Sequence, residues 1–305
     1  CHTEIAEGWA RSPMHRMTRL PTDAAIDAPF DGTTFRFKED SATLETADGE
    51  RYVTIRSKRF GDGVYRVSKV IGGRVREDFA GIRVSAVGKG VTPTGDPTEE
   101  SVLPISYKRA TGKLRYKGYS VMVKERPALH AGPVWNQTCI FCHNTAPYFS
   151  TLAGAIAKPG VGAYQGETVD RLLPEERRWE VRVADASAFK RAVKEELGVL
   201  GASGGEATAE GLVRATRERF RASHLMEIGI GCEACHGGSK EHVAHSSTLP
   251  SFEPKSPFIE IASRTPKTRS QQINRACARC HQVLFSGYEF TWEGANRRGT
   301  EPGGS

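Results

Sequence analysis

No stretch of this 305-residue chain approaches the ~20 consecutive apolar residues that a bilayer-spanning helix needs, which excludes a helical transmembrane segment. No leader of charged, apolar and small-residue regions opens it. Lys and Arg exceed Asp and Glu by 43 to 36, a formal charge of +7, yet the basic residues form no dense run. Nor do they interleave with aromatics as in a single-strand binding groove, so nucleic acid is excluded as a partner. Gly160-Val161-Gly162-Ala163-Tyr164-Gln165-Gly166 misplaces the third glycine of a dinucleotide-binding turn and follows no strand pattern. Apolar residues are also few, 38% of the chain, low for a well-packed globule of this length. The missing apolar surface has to come from something other than side chains.

Cysteine and histidine are scarce too, seven and nine, and neither occurs between His15 and His130. Their placement carries the chemistry. Cys139-Ile-Phe-Cys142-His143, Cys232-Glu-Ala-Cys235-His236 and Cys277-Ala-Arg-Cys280-His281 are three complete copies of C-x-x-C-H. Cys1-His2 reads as the tail of a fourth, whose first cysteine would stand three places before Cys1. C-x-x-C by itself is also half of a zinc site. With histidine at 9 of 305 residues, its chance occurrence directly after all three pairs is roughly 3 in 100,000, which decides for covalent c-type haem. Two thiols become thioethers to the porphyrin, and the adjacent imidazole turns under the ring to bind iron. Four haems c are therefore expected, with His2, His143, His236 and His281 as proximal ligands. Their propionates would offset much of the positive charge. Haem is attached to thiols outside the cytoplasm, so the chain is expected to be exported, periplasmic or extracellular, with its leader removed.

Five histidines stand outside the motifs. His15 follows Ser12 and Pro13, which read as an N-cap and a first helical residue after a short helix carrying Ile5 and Trp9. It is a distal-ligand candidate, with a capping histidine as the alternative. His130 precedes Cys139 by nine residues, far enough to loop towards a neighbouring haem. His224 either faces the haem of Cys232 or ends an ordinary core helix with Val213 and Phe220. His242 and His245 share a face if their segment is helical, and His242, six residues past His236, is expected to ligate the iron of a neighbouring haem.

Between these islands the periodicity changes to two. Phe35 and Phe37, Leu44 and Thr46, Val53 and Ile55, Tyr65 and Val67, Ile82 and Val84, Leu103 and Ile105, Leu114 and Tyr116, then Tyr119 and Val121 alternate with polar residues. Asp48-Gly49, Gly61-Asp62-Gly63, Gly72-Gly73 and Thr111-Gly112 punctuate them as hairpin turns. Further on, Phe189, Val193 and Leu197 predict a short amphipathic helix. Residues 246–268, with four prolines, predict a surface-wrapping connection, and residues 270–276 a helix delivering Cys277.

Around the motifs the chain resembles the multihaem cytochromes c that include the tetrahaem electron carrier of bacterial ammonia (hydroxylamine) oxidation. Cys1-His2 followed by Trp9, Ser12 and His15 is similar to that family's first haem site. Gly229-Ile230-Gly231-Cys232-Glu233-Ala234-Cys235-His236-Gly237 is similar to its third, and Arg275-Ala276-Cys277-Ala278-Arg279-Cys280-His281 to its fourth. About 80 residues are covered, and the resemblance implies neighbouring porphyrins stacked for rapid electron hopping.

The expected fold is α+β with much irregular structure: a helical and loop-rich, haem-packed cytochrome body carrying an inserted antiparallel β domain. The expected division is 1–29 for the first haem segment, 30–126 for the β domain and 127–305 for the remaining haem sites. The expected function is electron transfer through mostly bis-histidine haems, with other redox proteins as partners. Two rivals are an oxidoreductase acting on small nitrogen or sulfur species at one open haem, and a haem-linking module of an assembly or filament.

Overall fold

The computed structural model describes residues 2–22, 26–117, 128–137, 139–145, 180–199, 219–236, 240–250, 252, 258–262, 268–270, 273, 277, 289–292 and 295–298. The chain divides into two compact units, Cys1–Thr138 with Ile228–Ile230, and Cys139–Glu227 with Gly231–Ser305.

The first unit is built on one antiparallel sheet. Its strands are β1 (Thr18–Arg19), β2 (Asp31–Phe37), β3 (Asp40–Ala47), β4 (Glu50–Arg56), β5 (Gly63–Gly72), β6 (Arg76–Val84), β7 (Ser101–Lys108) and β8 (Lys113–Tyr116). From β2 to β8 each strand pairs with the next in sequence, and β1 adds to β5 through Thr18↔Ile71 and Arg19↔Val70. The sheet curls into a nearly closed barrel whose edge strands are joined by Phe37 and Tyr116, stacked with centroids 3.9 Å apart and planes 17° from parallel. Such a seam covers two edges that would otherwise offer unpaired backbone.

Alternation explains the core. Leu44, Val53, Ile55, Val67, Leu103 and Ile105 are buried inside, with Phe79 and Leu129 beside them. The β3–β4 turn at Asp48-Gly49 has φ of 52° and 79°, the two positive values of the tight hairpin that Asp-Gly favours. Strand β6 departs from the pattern: Glu77 through Gly81 are all buried, and Ile82 is only half-buried. Register shifts at Val67/Lys69 against β5 and at Asp78/Ala80 against β7 change which face each side chain takes.

Buried charges in this unit are paired or hydrogen-bonded. Lys69 Nζ lies 2.6 Å from Glu100 Oε1 and 5.4 Å from the centre of the fully buried Trp135 ring. Glu77 accepts from Arg19 and from the backbone N–H groups of Asp27 and Ala28. A segment past the last strand stays on the barrel: Leu129 N–H donates to Asp40 Oδ2 at 2.8 Å, Gly132 N–H to Val102 O at 2.8 Å, and Trp135 N–H to Glu100 O at 2.6 Å.

The second unit has shorter elements. Strand Glu180–Val183 pairs antiparallel with Ile259–Ala262, and helix Ala186–Val199 starts where Asp185 Oδ1 accepts the Ala188 N–H at 2.9 Å. Phe189 on that helix is fully buried, 6.0 Å from Phe258. Strands Glu289–Trp292 and Ala295–Arg298 form a separate ribbon.

The expected helical, haem-packed body is not what the described residues form. They are mostly antiparallel sheet with few helices. A five-residue motif builds a single helical turn, whereas period-two alternation builds long strands. The connection expected over 246–268 contains strand Ile259–Ala262, whose alternating isoleucines outweigh the flanking prolines. The sheet also takes in Thr18–Arg19 from the first haem segment. Among the described residues, no helix is long and apolar enough to cross a membrane.

Candidate functional site

In the second unit, two complete C-x-x-C-H motifs each fold as one helical turn. His143 N–H donates to Cys139 O at 3.2 Å, and the turn Ile140–His143 is closed by Asn144, whose Nδ2 donates to Ile140 O at 3.1 Å. The other turn is Cys232–His236. In both, cysteines three apart fall on one helical face, the spacing two thioethers along one porphyrin edge require. Cys139, Cys142 and Cys235 are half-buried, while Cys232 is an exposed free thiol.

Thr145 joins the two. Its Oγ1 accepts the Gly231 N–H at 2.7 Å, its N–H donates to Glu227 O at 3.1 Å, and its carbonyl accepts from Met226 N–H at 3.0 Å. Thr145 and Asn144 are both buried, so these bonds are screened from water. A Cβ at Gly231 would meet Thr145 Oγ1 at 3.2 Å and would require the Glu227 carboxylate, the far end of a flexible side chain, to move aside. Nothing in the sequence near Thr145 marked it, because a lone hydroxyl two residues past a motif has no pattern of its own.

His242 and His245 lie at the helix Lys240–Ala244 and its end. His242 Nδ1 is 2.6 Å from Thr248 O. A carbonyl can only accept, so Nδ1 carries the proton and the lone pair is on Nε2, the tautomer of an imidazole that ligates iron through Nε2. His245 is exposed, and its N–H donates to Glu241 O at 2.8 Å.

His224 has the opposite arrangement. The Arg221 backbone N–H donates to its Nδ1 at 2.9 Å, so Nε2 carries the proton and the ring caps the turn Ala222–His224. Burial, then the Arg221 charge, holds its pKa below the ordinary histidine value. Phe220, fully buried, lies 5.6 Å from its ring.

The first unit holds the segment 1–29, where the sequence predicts the first haem site. Helix Thr3–Ala10 follows His2, which is exposed, and ends before Pro13 as the sequence predicts. Ser12 Oγ accepts the His15 N–H at 3.1 Å, the expected cap. Trp9 Nε1 donates to Ile230 O at 2.7 Å, and Ile230 N–H to Met14 O at 3.4 Å. Gly229 between them has φ of 86°, and a Cβ there would collide with the His15 carbonyl oxygen. His130 sits on the barrel, stacked on Phe60 at 4.4 Å with planes 28° apart. Trp135 is buried under Lys69 in this unit.

Arg269, Ser270, Ile273 and Cys277 are helical, and Cys277 is exposed. Cys1, Cys280 and His281 lie outside the described residues, as do Gly237 and Gly238.

A covalent haem fits what surrounds the motifs. Val243 and Leu249, in the segment that follows His236, and Ile5, three residues past His2, are largely exposed apolar side chains that a porphyrin would cover. Among the described residues, no three His, Cys, Asp or Glu side chains converge on one point. Haem asks for no such group, since its iron takes two axial atoms and the thiols bond to carbon. Compared with known proteins, the chain matches no family model, no curated protein and no solved structure.

Proposed function

We propose that this chain is an exported c-type cytochrome that passes single electrons through several covalently attached haems to and from other redox proteins. The observation that carries this reading is the link at Thr145, which brings two complete attachment motifs together inside one compact unit. When bound, haem supplies a one-electron couple whose potential depends on axial ligand, hydrogen bonding and burial. The chain's part is to hold and orient. Cys139, Cys142, Cys232 and Cys235 attach on single helical turns, His143 and His236 follow them directly, and Cys277, Cys280 and His281 repeat the pattern. The Thr248 carbonyl fixes His242 in the tautomer suited to an axial role. The test is a potentiometric titration followed in the visible spectrum: several one-electron steps are expected, and their absence overturns the proposal.

A second reading has its own support. Five histidines lie outside the motifs, but His224 is committed through Nδ1 to capping, and His130 is stacked on Phe60. The remaining His15, His242 and His245 are too few to close four irons, which favours at least one open position and an oxidoreductase of small nitrogen or sulfur species. A high-spin ferric signal shifting on addition of nitrite, cyanide or hydroxylamine would select this reading; uniformly low-spin haems would discard it.

A further inference from the structure

Thr145 belongs to neither motif, yet its hydroxyl bonds to the residue that immediately precedes the second. It stands two residues beyond His143, and Gly231, whose N–H it accepts at 2.7 Å, stands immediately before Cys232. Backbone pairing of Thr145 with Met226 and Glu227 adds three hydrogen bonds, of 3.0 to 3.4 Å, to the hydroxyl contact. At ~3.8 Å per Cα step, the Cα atoms of Cys142 and Cys232 can be no more than about 22 Å apart. That is an upper bound for an extended path, and both motifs are coiled into helical turns, which shortens it.

The fit at Gly231 is close on the side of the Thr145 hydroxyl. A side chain there would displace the Glu227 carboxylate and press on Thr145 Oγ1. The hydroxyl and the glycine thus set one spacing between two attachment sites, and Asn144, buried beside Thr145, locks the first of them by bonding back to Ile140.

We propose that Thr145 is a positioning residue that holds the haem attached at Cys139 and Cys142 and the haem attached at Cys232 and Cys235 as one electronically coupled pair. This rests on the haem reading above. Exchange of one electron within the pair makes and breaks no bond: the reduced member is oxidised as the other is reduced, with a one-electron redox protein as the outside donor.

The test is circular dichroism in the Soret band of the haem-loaded full chain, where two porphyrins held close give a split signal. Cys139→Ala with Cys142→Ala, and separately Cys232→Ala with Cys235→Ala, should each abolish the same split component. Thr145→Val with unchanged haem content should reduce that component at least twofold, and Thr145→Ser should keep it. Survival of the component in either attachment variant, or its full amplitude in loaded Thr145→Val, would overturn the inference. So would loss of haem loading in both Thr145→Val and Thr145→Ala, which would make the hydroxyl a requirement for assembly rather than a spacing device. A chain without haem removes the functional reading itself, whereas a loaded chain without the split component removes this inference alone.

Discussion

His242 Nδ1 lies 2.6 Å from the carbonyl oxygen of Thr248, and that contact determines where the imidazole keeps its lone pair. With the proton on Nδ1, Nε2 carries the lone pair that would ligate iron. His242→Ala is therefore expected to convert one ferric haem from low to high spin. His242→Met should keep the iron low-spin and raise its reduction potential, since a thioether favours the ferrous state. His245→Ala should leave the spectrum unchanged. Electron paramagnetic resonance of the three variants decides; a high-spin signal from His245→Ala alone would exchange the two roles.

His224 should titrate below the ordinary histidine value near 6.5, because burial and then the Arg221 charge oppose its protonation. The sign follows from that depression. The cap is fully present above the unfolded value and is lost as pH falls through the folded one. His224→Ala is expected to destabilise by about 1 kcal/mol above pH ~6.5 and by less in acid, with no change in ferric spin state. Proton NMR gives the titration midpoint and denaturation at two pH values gives the stability; a midpoint above 6.5 would contradict the arrangement.

Much of the barrel was legible in the sequence because several of its strands carry period-two alternation and its turns carry Asp-Gly and Gly-Asp-Gly. Val53 with Ile55, and Leu103 with Ile105, face inward as the period requires. The hairpin between β2 and β3 was not legible, since it places Lys38 at φ 54° where no glycine announces it. The inward set of β6 was hidden by its register shifts, and the pairing of Glu180–Val183 with Ile259–Ala262 by the distance between them in sequence. The attachment motifs were legible because their chemistry is local. The link through Thr145 and the opposite tautomers of His224 and His242 were not, because each depends on a backbone group that only the fold brings into reach.

Lys69 and Glu100 are buried together in the barrel unit, so removing one leaves a charge without its partner. Lys69→Met is expected to cost roughly 3–5 kcal/mol, while Lys69→Met combined with Glu100→Gln should recover a large part of that loss. Chemical denaturation of the two variants, followed by the fluorescence of Trp135 over Lys69, measures the difference. Equal destabilisation in both would mean that the ion pair is not the cause.

The central claim is that the cysteines carry haem, and the direct measurement is the intact mass of the purified protein beside its iron content. Four iron atoms per chain are predicted, with a mass excess equal to the same number of covalently attached haems, the first held through Cys1 and His2. Stoichiometric zinc, with the cysteines of C-x-x-C-H recovered as unmodified thiols, would contradict it.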